Sequence, residues 1–110
     1  MKPPQTPEDP ALGRILEILV QTFHPVQVFL FGSRVRGEST RESDYDLLLV
    51  VADDSGPEAR DPRRAYEALW GLGIAVDVVI WTRSGFESRL PLKASLPATV
   101  LREGRLLYAA

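Results

Sequence analysis

The pattern of apolar and polar positions begins with one helical stripe. After an Asp9-Pro10 pair, apolar side chains recur at spacings of mostly three and four residues as far as Phe23. This spacing predicts an amphipathic helix that packs one face on the core. Asp suits the N-cap and Pro the first helical position, while Pro25 stops the helix. The predicted stripe consists of Leu12, Ile15, Leu16, Leu19 and Phe23.

Three later apolar runs are short and predict strands. They cover residues 26–31, 45–51 and 74–81. The second run, YDLLLVV, is too apolar to have one face in water, which is typical of a strand in the centre of its sheet. The third run is apolar except for Asp77. Tyr45 is expected to point into the core.

The segments between the strands carry turn and helix signals. Gly32 ends the first strand, and an Asp61-Pro62 pair begins another helix, which Gly71 or Gly73 ends. The apolar face of that helix is predicted to consist of Ala65, Tyr66, Leu69 and Trp70. The remaining predictions are a helical turn over 33–37, polar loops over 38–43 and 52–62, helices near 84–89 and 95–102, and a last strand over 105–109.

Together these elements predict an α/β (α+β) fold. Its helices pack on a small mixed β-sheet, in the order α-β-turn-β-α-β-α-β. Residues 1–9 are Pro-rich and polar and are expected to form a flexible N-terminal arm. Residues 10–110 then form a single domain, a length at which folding buries a substantial core.

Composition narrows the chemistry. The 110 residues carry a net charge of −2, contain no cysteine and have His24 as the single histidine, which is expected on the surface. Thiolate and multi-histidine metal sites are therefore excluded, and any bound metal would be a hard cation held by oxygens. The charge does not favour nucleic acid as a partner. No apolar run is long enough to span a bilayer and no signal peptide is visible, so we expect no membrane association and a cytoplasmic location.

Each of the three predicted strands is accompanied by polar groups. Gly32-Ser33 follows the first, Asp44 and Asp46 open the second, and Asp77 lies within the third. Taken singly, each has an ordinary explanation: a turn, a solvent-exposed acidic pair, and an exposed or Arg-paired acid. Residues i and i+2 of a strand share a face, so the two carboxylates repel each other unless a cation lies between them. If the second and third strands are neighbours, Asp77 joins that pair.

The whole pattern, FGSRVRGESTRESDYDLLLVV followed by VDVVI, resembles the nucleotidyltransferase superfamily that includes DNA polymerase beta and kanamycin nucleotidyltransferase. The short length and the Gly-Ser-Arg-x-Arg-Gly opening are most similar to the minimal nucleotidyltransferases. The resemblance implies that Gly32 and Ser33 hold a nucleoside triphosphate, with Arg34 as a further phosphate contact. It also implies that two Mg²⁺ ions, or Mn²⁺ in their place, are held by Asp44, Asp46 and Asp77, which are the catalytic residues.

The resemblance also suggests what the protein modifies. Minimal nucleotidyltransferases pair with a helical protein of the HEPN type, as antitoxin to its toxin, and some adenylylate the toxin. We therefore expect transfer of a nucleoside monophosphate, AMP from ATP, to a hydroxyl on such a partner. Two alternatives stay open: a non-catalytic antitoxin that only binds, and transfer to a small molecule such as an aminoglycoside. A tRNA-like acceptor is not favoured but is not excluded.

Overall fold

The computed structural model describes residues 9–37 and 44–110. Its helices are α1 (Pro10–Phe23), α2 (Ser33–Arg36), α3 (Pro62–Leu69), α4 (Arg83–Arg89) and α5 (Leu96–Glu103), with a 3₁₀ helix at Pro57–Arg60. Its strands are β1 (Gln27–Phe31), β2 (Tyr45–Val51), β3 (Val76–Thr82) and β4 (Arg105–Ala109). The mixed α/β fold class is confirmed. The predicted arm over 1–8 and the predicted loop over 38–43 lie outside the described residues.

The four strands form one mixed sheet in the order β3-β2-β1-β4. β2 pairs antiparallel with β1 and parallel with β3, and β1 pairs antiparallel with β4. The central position that the apolar run over 45–51 predicts for β2 is therefore confirmed. The parallel connection from β2 to β3 runs through α3, as such crossovers require.

Alternating side chains of the sheet divide the core into two layers. On one face, Leu47 and Leu49 of β2 pack with the apolar stripe of α1. On the other face, Leu48 and Val50 pack with Phe86 of α4 and Val100 of α5. All five residues of the predicted α1 stripe are buried. Because side chains alternate along a strand, Tyr45 belongs to the α1 face and Asp46 to the α4 and α5 face.

The start of α1 matches its sequence signal. The Asp9 carboxylate accepts hydrogen bonds from the backbone N–H groups of Ala11 and Leu12, at 3.0 and 3.3 Å. His24 ends the helix in a left-handed conformation and is exposed, as expected. No helix among residues 9–37 and 44–110 is long and apolar enough to cross a membrane.

Several details of the sequence prediction are wrong. β3 begins at Val76 and not at residue 74, and the loop after β2 contains the 3₁₀ helix. More important, Tyr66 and Trp70 are not core residues, because 44% of Tyr66 and 88% of Trp70 is exposed. Ala65 and Leu69, four residues apart, form the buried face of α3. Tyr66 and Trp70 each follow one of them by one position and therefore point toward solvent.

Candidate active site

Gly32 brings the end of β1 against a carboxylate of β2. Its backbone has φ +81° and ψ −156°, a conformation open essentially to glycine. A Cβ atom at this position would lie 2.2 Å from Oδ2 of Asp46. Any side chain here would therefore displace the carboxylate. Ser33 follows as the first residue of α2, the helical turn predicted there.

Asp46 and Asp77 are direct partners in the parallel pairing of β2 and β3. Their side chains therefore leave the same face of the sheet. Asp46 is partly buried and Asp77 is exposed. Asp44 is also exposed and stands just before β2, near its entrance into the sheet. The neighbouring strands that would bring Asp77 beside the Asp44-x-Asp46 pair are thus present.

The three carboxylates act on one another electrostatically. Burial raises the pKa of Asp46, and the negative charges of Asp77 and Asp44 raise it further, whereas the positive charge of Arg36 opposes them. A raised pKa means that the ionised form of Asp46 is destabilised in the folded protein. A bound cation would relieve this repulsion, and carboxylate oxygens are the donors that Mg²⁺ prefers.

The acidic residues are nevertheless not gathered as a finished metal centre. Across the described ranges, no three acidic or histidine side chains converge closely enough to hold an ion. The donor type and the mutual repulsion fit a divalent cation, and ligation by Asp44, Asp46 and Asp77 stays a prediction.

The two arginines of α2, Arg34 and Arg36, act on different groups. The Arg34 guanidinium lies 3.8 Å from the centre of the Tyr45 ring. Tyr45 is only 5% exposed and faces away from Asp46, so its predicted core position is confirmed. Arg34 therefore lies over the Tyr45 ring, and its contact with phosphate, which the resemblance implies, stays a prediction. Arg36, in contrast, acts on Asp46 electrostatically.

Tyr66 is a site residue that sequence reasoning assigned to the core. Its hydroxyl donates a hydrogen bond of 3.2 Å to Oδ1 of Asp77. Burial and this hydrogen bond raise the pKa of Tyr66. It also lines a cavity of about 630 Å³ together with Asp44 and Trp70. A signal was present in the sequence: Tyr66 and Trp70 form an aromatic pair four residues apart, displaced by one position from the buried pair Ala65 and Leu69.

A glycine turn that approaches carboxylates carried by two neighbouring strands leaves room for a phosphate close to the backbone, beside oxygen donors that suit a hard cation. The family model for the nucleotidyltransferase domain matches residues 12–107. The chain therefore belongs to the nucleotidyltransferase family, and it is a nucleotidyltransferase.

Among its relatives is a protein of Methanocaldococcus jannaschii named a putative protein adenylyltransferase. The two are 32% identical over 82 residues, which is 74% of this chain and 77% of the relative.

Solved structures agree with the family. A crystal structure of a toxin–antitoxin with AMP-PNP is 26% identical, has a TM-score of 0.57, and the match covers 88% of this chain and 73% of that one. A putative nucleotidyltransferase from Sulfolobus solfataricus is 21% identical with a TM-score of 0.59, covering 91% and 78%. A mutant of the toxin–antitoxin MntA-HpeT is 22% identical with a TM-score of 0.58, covering 88% and 72%. The last two show the fold alone.

Proposed function

We propose that this nucleotidyltransferase transfers AMP from ATP to a hydroxyl group of a partner protein. The observation that carries the proposal is the approach of Asp46 to Gly32, with Asp77 directly opposite Asp46 in the sheet. That arrangement offers a place for a phosphate chain beside a place for a cation. The choice of AMP and of a protein acceptor is supported by the name of the archaeal relative.

Each group of the site has a role in this reaction. Gly32 leaves room for phosphate oxygens close to the backbone, and the Ser33 hydroxyl can donate a hydrogen bond to one of them. Asp44, Asp46 and Asp77 would hold Mg²⁺, or Mn²⁺ in its place. When bound, the metal would neutralise charge on the phosphates and lower the pKa of the acceptor hydroxyl. Arg36 adds a positive charge on the same side of the site.

The transfer is a displacement at the α-phosphorus of ATP. The acceptor oxygen forms a bond to that phosphorus, and the bond to the oxygen bridging to the β-phosphorus breaks. Pyrophosphate leaves with the electron pair of that bond, and the acceptor proton passes to a carboxylate of the site or to water. The chain forms no covalent bond itself, so its contribution is to position the reactants and balance their charge.

The partner we propose is a helical toxin of the HEPN type, with this chain as its antitoxin. The family resemblance supports this choice, as does the likeness to a toxin–antitoxin with AMP-PNP at 26% identity. A cytoplasmic location follows from such a partnership, because the toxin and ATP are both available there.

The test combines the protein with the product of its neighbouring gene, ATP and Mg²⁺. We expect the partner to gain the mass of one AMP, with one pyrophosphate released per adduct, and both to disappear in EDTA. An Asp46→Asn variant is the matched control. Absence of an adduct and of pyrophosphate would refute the proposal.

Two other results would select an alternative. If a doubly substituted Asp44→Ala, Asp46→Ala variant still neutralises the toxin, binding alone explains antitoxin action. If an aminoglycoside or a tRNA gains AMP and the protein partner does not, the acceptor class is wrong while the enzyme class stands.

A further inference from the structure

Helix α3 exposes an aromatic surface beside the carboxylates. It consists of Tyr66 and Trp70 with the charged side chains of Arg63 and Glu67, which together line a shallow groove. We call it the α3 aromatic surface. Trp70 follows the last residue of the helix and leaves 88% of its area in solvent. Apolar area that these two aromatic side chains leave in solvent would stabilise a complex if another molecule buried it.

This surface is continuous with the carboxylate site. Tyr66 and Trp70 also line the cavity of about 630 Å³ that reaches Asp44, with Leu69 and Val76 among its apolar walls. At the edge of the sheet, the Tyr66 hydroxyl already contacts Asp77. A molecule lying on the α3 aromatic surface can therefore place a group at the carboxylates without crossing any other element that the structure describes.

The direction of the reaction favours the acceptor as that molecule. In a displacement at phosphorus, the attacking and leaving oxygens lie on opposite sides of the phosphorus atom. The proposed phosphate contacts, Gly32 and Ser33, follow β1, so pyrophosphate leaves toward β1. The attacking hydroxyl must then arrive from the opposite side of β2. The strand order puts β3, and Tyr66 at its edge, on that side.

Charge and shape indicate the chemistry of the acceptor. Among the residues that the structure describes, Asp44, Asp77 and Glu67 place carboxylates on or beside this surface, and Arg63 places one guanidinium on it. Such a balance disfavours the phosphates of RNA or of ATP and favours a segment with apolar and basic side chains. Tryptophan and tyrosine are also among the residue types that contribute most to the binding energy of protein interfaces.

We propose that the α3 aromatic surface docks the acceptor segment of the partner polypeptide. The segment packs an apolar side chain against Trp70 and presents its hydroxyl at Asp77, beside the Tyr66 hydroxyl that orients that carboxylate. The proposal rests on the proposed function, in which the acceptor belongs to a protein.

The experiment follows Trp70 directly. The chain has two tryptophans, and Trp81 packs partly buried in the α4 and α5 layer. In a Trp81→Phe variant, the tryptophan fluorescence of this chain therefore comes from Trp70 alone, and the spectrum of the titrant by itself is subtracted. Titration with the product of the neighbouring gene is expected to shift the Trp70 emission to shorter wavelength, and titration with AMP-PNP is expected to leave it unchanged. A shift with AMP-PNP would make this surface the nucleotide-base site and overturn the proposal.

Substitution of Trp70 provides the second measurement. Trp70→Ala is expected to weaken partner binding and to lower the rate of partner adenylylation at limiting partner by at least about tenfold, with AMP-PNP affinity unchanged. Trp70→Phe should restore most of the loss. Leu101→Ala on α5, where the residue is 54% exposed, is the matched control and should have no effect.

The outcomes separate the two proposals. If the partner shifts Trp70 emission but gains no AMP, the proposed function fails and the docking surface stands. If the partner gains AMP while Trp70→Ala acts like wild type, the docking surface fails and the proposed function stands. If the partner neither binds nor gains AMP, both fail.

Discussion

Tyr45 and Asp46 are neighbours in β2, and their side chains enter two very different regions. Tyr45 points to the α1 face, where its hydroxyl donates to the Asp9 carboxylate and Arg34 stacks on its ring. We call this group the Asp9 cluster. Asp46 points to the opposite face and meets Gly32, Asp77 and Asp44. Both regions contain carboxylates, and the partners of those carboxylates distinguish them.

The carboxylate of the Asp9 cluster is satisfied within the protein. Burial raises the pKa of Asp9, but hydrogen bonds from Tyr45 and from the N–H groups of Leu12 and Ala11, with the charge of Arg34, outweigh it and lower that pKa. Ionised Asp9 is therefore more stable in the folded chain than in the unfolded one. The Asp9 carboxylate accepts hydrogen bonds from the start of α1 and from Tyr45 of β2, and it therefore stabilises the fold.

The carboxylate of Asp46 has the opposite balance. Burial and two like charges raise its pKa, with Arg36 as the opposing charge. Ionised Asp46 is therefore less stable in the folded chain than in the unfolded one. A ligand that neutralises the group would recover this energy, so the contrast supports the proposal that the Asp46 face binds the substrate and the cation.

Of the substitutions that test this contrast, Asp46→Asn is expected to have the largest effect, which is on the transfer rate. Transfer should fall by about 10³-fold, the scale seen when a charge-stabilising group of an active site is removed. Stability should change in the opposite sense. Because the folded pKa of Asp46 is raised, its protonated form favours folding at low pH and its ionised form costs stability as pH rises through that pKa.

Melting in EDTA tests the stability half of this prediction. At pH 7, Asp46→Asn should melt at or above wild type, and the difference should vanish in acid, where Asp46 is protonated. Asp61→Asn serves as control, because hydrogen bonds from Arg63 lower the pKa of Asp61 and removing its charge should not stabilise the protein. A variant of Asp46 that melts well below wild type at pH 7 would contradict the assignment.

The second prediction concerns Gly32, whose backbone lies against the Asp46 carboxylate. Gly32→Ala should cost about 1–3 kcal/mol of unfolding free energy through backbone strain alone, and more through displacement of the Asp46 carboxylate. Transfer should be lost with it. Gly37→Ala is the matched control: φ is +76°, yet a Cβ there meets no described atom within 4 Å, so about 1–2 kcal/mol is expected. Urea unfolding would measure both, and equal losses would contradict the close approach.

Much of this contrast could be predicted from the sequence, and the reasons are local. The α1 stripe, the short apolar runs and the Asp-Pro helix starts depend on neighbouring residues, and they located the elements to within two residues. The alternation in β2 placed Tyr45 in the core. The pairing of β3 with β2 entered the sequence argument only as the condition under which Asp77 joins Asp44 and Asp46, and the structure supplies it. The hydrogen bond between Tyr45 and Asp9 spans 36 positions, and that between Tyr66 and Asp77 depends on how α3 rotates over the sheet. Local pattern does not determine either contact.

A third prediction concerns the pH dependence of the Asp9 cluster. Asp9→Asn keeps an N-cap residue and removes the charge, so the loss reports mainly on the contacts with Tyr45 and Arg34. Because the folded pKa of Asp9 is lowered, its contribution is complete above the unfolded value and is lost as pH falls through the folded one. Urea unfolding at neutral pH should show about 1.5–3 kcal/mol less stability than wild type, the range for a hydrogen bond to a charged group. A difference that persists unchanged in strong acid would contradict this origin.

The smallest expected effect compares the two tyrosine hydroxyls. Tyr45→Phe removes a partly buried hydrogen bond of the Asp9 cluster and should lower the free energy of unfolding by about 1–3 kcal/mol, while the folded protein keeps its transfer rate. Tyr66→Phe removes a half-exposed hydrogen bond and should change stability by less than about 0.5 kcal/mol. Its transfer rate should nevertheless fall by about tenfold, because Asp77 loses the donor that orients it, and removal of such supporting partners costs about 10–100-fold. Measuring stability and rate for both variants separates the roles: if Tyr66→Phe lost stability and kept its rate, the two hydrogen bonds would be equivalent, and the division of β2 into a structural and a catalytic face would fail.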